Sequence, residues 1–246
     1  MELLKATVLG LVTGVAGTMV GGLSVLFRSG AGLTKQSWLL GFSGGIMVAV
    51  VLFDLWPEAW HYGGLFPTLA GTIVGMLLVQ YFEAFLQWIP WYRRRKFSRF
   101  AKVGLLLGVG IGVHNFPEGV ALGTTYIANP SLSGWLGLAL LMSLHNIPEG
   151  MVMASALQIG KIAVAKIVGA LFLVELPMAL GSTVGAFLGT LAPIMIALSL
   201  GFAGGAMFLL VAKELIPMAK KLAGIFWVGT GFIAGLAVGL VLVQFV

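Results

Sequence analysis

Cysteine is absent from the 246 residues, which excludes thiolate metal ligation and disulfides and leaves no redox compartment to be read from them. Charge is nearly as scarce. Only 9% of residues are Asp, Glu, Lys or Arg, only eight are acidic, and histidine occurs three times. With 59% hydrophobic residues and a mean hydropathy of +1.06, the chain has too little polar side chain to cover a soluble globule of this length. The net charge of +6 does not point to nucleic acid. Lys and Arg are scattered through short segments between apolar runs and lack aromatic interleaving on a polar surface. Any metal must therefore be held by His, carboxylate or amide.

Long apolar runs fill the space. A helix needs about 20 apolar residues to cross the roughly 30 Å hydrocarbon layer, and windows of that kind fall near 5–27, 38–60, 66–88, 103–127, 134–158, 163–189, 194–217 and 224–245. These predict an all-α, polytopic membrane protein of eight spans, a single transmembrane domain over 1–246. The first run is longer than a signal-peptide core, lacks a clear cleavage site and reads as a retained span. Arg28 and Lys35 lie in the first loop, Arg93, Arg94, Arg95, Lys96, Arg99 and Lys102 in the third, Lys161 and Lys166 in the fifth, Lys220 and Lys221 in the seventh. The even-numbered loops have neither Lys nor Arg, so the positive-inside rule sets both termini outside a cell membrane, plasma or inner. The basic loop at about 90–102 reads as topogenic, lipid-facing charge.

An internal repeat joins spans two and seven: GFSGGIMVAVVLFDLWPEA at 41–59 matches GFAGGAMFLLVAKELIPMA at 201–219, with Asp54 in register with Glu214. This topology makes the two spans antiparallel, and inverted repeats of that kind build secondary transporters with a site at mid-membrane. Gly-Gly-x-Met also serves close helix packing. The shared acid-Leu-x-Pro punctuation goes beyond packing.

Span four contains VHNFPEGVALG at 113–123 and span five LHNIPEGMVMA at 144–154. A charge at that depth costs a few kcal/mol, so such residues pair, face the bundle interior and mark an ion path. His114 and Glu118 are one helical turn apart and point at the same spot, as do His145 and Glu149, so two imidazoles and two carboxylates can converge between antiparallel helices. Imidazole and carboxylate without sulfur suit zinc first, and also iron(II), manganese, nickel and cobalt. Asn115 and Asn146 can form a neighbouring oxygen-rich position. Pro117 and Pro148 lack the N–H for a carbonyl four residues back and are expected to open the turn there. A single buried His-Asn pair is as well explained by a hydrogen-bonded core contact; packing gives no reason for the pattern twice.

Glu175, beside Pro177 in span six, is a further candidate ligand or bridge, with a protonated, hydrogen-bonded Glu as the alternative. Asp54, Glu58 and His61 lie towards the outer end of span two, where they can collect cations or act as plain interfacial residues. Glu83 and Glu214 fall near the cytoplasmic ends of spans three and seven. Glu214 follows Lys213, and the two also read as a snorkelling local ion pair.

These motifs resemble those of the ZIP family, the Zrt/Irt-like metal transporters of prokaryotic type, whose signature is a His-Asn-x-Pro-Glu-Gly motif in span four with a related motif in span five. The likeness covers essentially the whole chain. It implies a 3+2+3 arrangement in which spans one to three are inverted relative to six to eight. It also implies one metal position from His114, Glu118, His145 and Glu149, and an adjoining one from Asn115, Asn146, Glu149 and Glu175, with Glu149 bridging. By the same resemblance the substrate is zinc or another divalent ion such as cadmium, iron or manganese. The resemblance further implies import towards the cytoplasm, by an elevator-like sliding of spans one, four, five and six against a scaffold of two, three, seven and eight. The sequence departs from the family pattern at Leu176, between Glu175 and Pro177, at Lys213, and in a third loop without histidine, so loop-based metal sensing is not expected. The partners implied are divalent metal ions and the lipid bilayer, with a homodimer as a candidate assembly, no nucleic acid and no cofactor. Two rivals stay open. An intramembrane metalloenzyme would need an open coordination site with a general base, commonly HExxH-spaced, and a proton-coupled carrier of a small organic solute would use the same residues as a relay.

Overall fold

The computed structural model describes residues 1–27, 32–88, 98–128, 132–188 and 193–244, excluding the side chains of 82–87, 99, 128, 132–134, 141, 145 and 188. The described chain is helical, and no strand occurs in it. Helix α1 spans Glu2–Leu26. Helix α2, Leu33–Val50, passes through a π-helical turn, Val51–Leu55, into α3, Trp56–Gly63. Helices α4, Leu65–Trp88, α5, Arg99–Ala128, and α6, Leu132–Ile159, follow. Then come α7, Val164–Leu173, and α8, Leu176–Leu188. Helix α9, Pro193–Leu210, continues through a second π turn, Val211–Leu215, into α10, Ile216–Ala223, and α11 closes the chain at Ile225–Val243.

Among the described residues seven helices are long and apolar enough to cross a membrane: Glu2–Leu26, Leu33–Gly63, Phe100–Ile127, Trp135–Ile159, Val164–Phe187, Pro193–Ala223 and Ile225–Val243. The window expected at 66–88 falls on α4, whose described apolar part, Leu65–Tyr81, is shorter. The basic stretch 89–97 and Arg28 lie outside the described residues.

Proline acts in three ways here. Helices α5 and α6 run unbroken through Pro117 and Pro148, so the expected opening of those turns does not interrupt either helix. Before Pro57 and Pro217 the backbone widens instead: the N–H of Trp56 reaches back to Val51 O and that of Ile216 to Val211 O, five residues each. A missing proline N–H removes one i to i−4 bond, and a wide turn accommodates the defect without ending the helix. At Pro177 the helix does break, at Val174 and Glu175, where Glu175 N–H bonds Phe172 O at 3.2 Å and Met178 N–H bonds Glu175 O at 3.1 Å. The run expected as one span at 163–189 remains one candidate span, Val164–Phe187, built of two helices with a carboxylate at the joint.

The helices sort into two packed bodies. Helix α1 lies along α6, α7 and α8, and α5 packs on α6 and α8. Separately α2 packs on α10 and α11, and α9 on α3 and α4. The bodies meet where α9 touches α5 and where α2 touches α6. Small residues permit the closest approaches, as expected where lipid supplies no hydrophobic drive between helices. A Cβ at Gly17 would run into the Ser143 carbonyl, and one at Gly21 into that of Ile147. Where the bodies meet, Leu107, Val152 and Ala156 of the first join Met47, Val48, Val51, Met207 and Leu210 of the second in one buried aliphatic core.

Candidate metal site

The site lies wholly in the first body. Helix α5 presents His114, Asn115 and Glu118, α6 presents Asn146 and Glu149, and the joint between α7 and α8 presents Glu175; all six side chains are fully buried. His145 is in α6, and its side chain lies outside the described residues. Across the two motif helices, His114 Nε2 lies 2.7 Å from Glu149 Oε1. The imidazole of one motif thus meets the carboxylate of the other, a pairing that spacing within a single helix does not reveal.

The break in span six is tied to the same cluster. Met178 N–H, the ordinary helical partner of Val174 O, bonds Glu175 O instead. Asn115 Nδ2 donates to that Val174 carbonyl at 3.3 Å and to Glu175 Oε2 at 2.9 Å. Thr18 Oγ1 on α1 donates to the other oxygen, Oε1, at 2.5 Å. Asn146 Nδ2 faces Met178 Sδ at 3.9 Å, a weak acceptor. Thr18, Val174 O and Met178 were not among the residues expected from sequence. For Thr18 the sequence held no local signal, because the same helix also carries the hydroxyls of Thr7, Thr13 and Ser24.

Among the described residues three of these side-chain oxygens, Asn115 Oδ1, Asn146 Oδ1 and Glu149 Oε2, are buried without a hydrogen-bond donor. A buried acceptor left without a partner costs about 1–3 kcal/mol, more when charged. A cation or a water would satisfy such an acceptor. Among the described residues no three His, Asp or Glu side chains stand close enough in this arrangement to enclose a metal. His114 pairs with Glu149, and Asn115 with Glu175, through the contacts just given.

The outer residues divide. Asp54 and Glu58 line a narrow cavity of about 40 Å³ between the two bodies, with Tyr62, Thr124 and Thr125, enough for a few waters. His61 is exposed and lines an open apolar groove with Trp56 and Trp60. Glu214 is half-buried in the second π turn, where neighbouring Lys213 donates to Gln80 Oε1 at 2.5 Å. Glu83 is in α4, and its side chain lies outside the described residues.

Helices of membrane-spanning length round a buried His, Asn and Glu cluster define a multi-pass membrane protein with a polar centre inside one helical body. No family model matches the chain. It is similar to zinc transporter ZupT of Stenotrophomonas maltophilia (strain K279a), at 30% identity over 94% of this chain and 93% of the relative. ZupT of Salmonella newport (strain SL254) is 29% identical over 74% of each chain. ZupT of Lysinibacillus sphaericus (strain C3-41) is 29% identical over 53% of this chain and 56% of its own length. The chain belongs to the ZIP family, in its prokaryotic type.

Proposed function

We propose that this protein carries divalent metal ions, zinc first, across the cell membrane towards the cytoplasm. The observation that carries the reading is the buried cluster: paired His114 and Glu149, two asparagines, Glu118 and Glu175, with three oxygen acceptors that lack donors among the described residues. An apolar bundle keeps such a set at a cost, and a cation is the ligand that its chemistry suits. The zinc transporters to which the chain is similar support the ion, and they support a transporter, not an enzyme. His114, Glu118, His145 and Glu149 make one position in this reading. Asn115, Asn146, Glu149 and Glu175 make the next, with Glu149 bridging. An arriving ion separates His114 from Glu149, displaces to water the proton shared between Nε2 and Oε1, and takes an electron pair from each.

The route follows from the order of residues along the helices. Thr124 and Thr125 lie beyond Glu118 on α5, and Leu138 and Met142 precede the motif on α6; all four line the cavity that holds Asp54 and Glu58. Leu107, Val152 and Ala156 lie on the opposite side of the motifs, in the aliphatic contact between the bodies. We read the cavity as the outer entrance and the aliphatic contact as an inner seal. The membrane arrangement proposed is eight spans with both termini outside, spans one to three inverted relative to six to eight. The paired π turns at Val51–Leu55 and Val211–Leu215 and the paired turns at Gly64, φ 78°, and Gly224, φ 85°, support it. Since the described site residues all belong to the first body, that body sliding past the second carries the site without dismantling it, an elevator motion.

The test is uptake of zinc, cadmium, iron(II) and manganese into liposomes holding the purified protein. Glu149→Ala is expected to abolish uptake in a protein that still folds, and normal uptake by that variant refutes the site.

A further inference from the structure

We infer that Thr18, a residue of α1 outside both motifs, is a positioning residue of the metal site, holding the Glu175 carboxylate in register for the ion. This rests on the reading above that Glu175 is a metal ligand. Thr18 and Glu175 are both fully buried, and the hydroxyl donates to Oε1 at 2.5 Å. Asn115 holds Oε2 from the opposite side at 2.9 Å. Each carboxylate oxygen has two lone pairs, so one donor on each leaves one pair on each for a cation. Glu175 sits at a helix break, where no regular turn fixes the direction of its side chain. Orientation must come from neighbours.

Helix α1 supplies more than the hydroxyl. One turn before Thr18 stands Gly14, where a Cβ would collide with Glu175 Oε2, so the bare backbone is the wall of the slot that the carboxylate fills. Thr18 is itself fixed from behind, because Gly150 of the second motif seats against the Thr18 carbonyl with no room for a methyl. Gly150 sets Thr18, and Thr18 sets Glu175. Partners of this kind, one shell out from the ion, orient ligands, and their loss costs about 10–100-fold in metal affinity or activity.

Thr18→Val keeps the shape and removes the donor, while Thr18→Ser keeps the donor. In the liposome assay Thr18→Val is expected to raise the zinc KM about tenfold or more. Thr18→Ser should stay near the natural chain, and Thr18→Val should add nothing in a Glu175→Gln background. Thermal unfolding of the same preparations reports the fold, and Thr18→Ala is read in the same way should the valine variant fail to insert. An unchanged KM in Thr18→Val, or a defect that serine does not rescue, overturns the role of Thr18 while leaving Glu175 as a ligand. Natural zinc kinetics in Glu175→Gln would instead overturn the ligand reading beneath it.

Discussion

Two glycine-to-alanine changes should move stability in opposite directions. At Gly150 a Cβ would overlap the Thr18 carbonyl, and the carbon and α-carbon of the same residue lie close behind, so the obstacle is backbone and cannot rotate away. Helices α1 and α6 must then separate along the line where Gly17 and Gly21 make equally close approaches. Forcing a methylene into a well-packed site costs about 1–3 kcal/mol. For a protein of this size each kcal/mol is worth roughly 2–4 °C in Tm, so Gly150→Ala should lower Tm by about 2–12 °C. Gly169, in α7, is exposed, and a Cβ added there would have no neighbour within 4 Å, so alanine meets open space. Alanine gains about 0.5–1 kcal/mol over glycine inside a helix, so Gly169→Ala should raise Tm slightly. Thermal unfolding in one detergent, followed by size-exclusion chromatography, measures both. A Gly150→Ala protein as stable as the natural chain would refute the close packing of α1 on α6.

Asn115→Ala removes the amide that holds both Val174 O and Glu175 Oε2, and it should change the ranking of zinc, cadmium, iron(II) and manganese more than the maximal rate; competition uptake measures this. Neutralising the cavity with Asp54→Asn and Glu58→Gln should slow uptake at low zinc severalfold and matter little at saturation. Uniform loss at all concentrations would argue against an entrance.

The buried cluster was legible because polar residues in apolar runs are rare and costly, and His114, Asn115, Glu118, Asn146, Glu149 and Glu175 are all fully buried. Their pairing was harder to read. A one-turn spacing puts His114 and Glu118 on one face, but which carboxylate meets the imidazole depends on the axial register of α5 against α6. Thr18 was hidden for a different reason. Threonine in a helix commonly bonds its own carbonyl four residues back, as Thr7 does to Leu3 and Thr68 to Gly64. Nothing local distinguishes Thr18 from these until Glu175 arrives from 157 positions away. The prolines make the same point. Each lacks the same N–H, yet the outcome is a continuous helix at Pro117 and Pro148, a π turn before Pro57 and Pro217, and a break before Pro177.

The hydrogen bonds bear on motion as well as on stability. Within the first body Tyr126 donates to Glu2, Ser182 to Ala6 O and Ser143 to Thr13 O, besides the contacts of Thr18 and Asn115 with Glu175. Within the second, Ser37 donates to Ala219 O and Lys213 to Gln80. These directional bonds tie each body to itself, and each would cost about 0.5–1.5 kcal/mol to break. The contact between the bodies through Leu107, Val152 and Ala156 is aliphatic, made of dispersion that is weak per atom and tolerant of sliding. Directional bonds within each body, and an aliphatic contact at these three residues between them, are the division of forces that the proposed elevator motion would need.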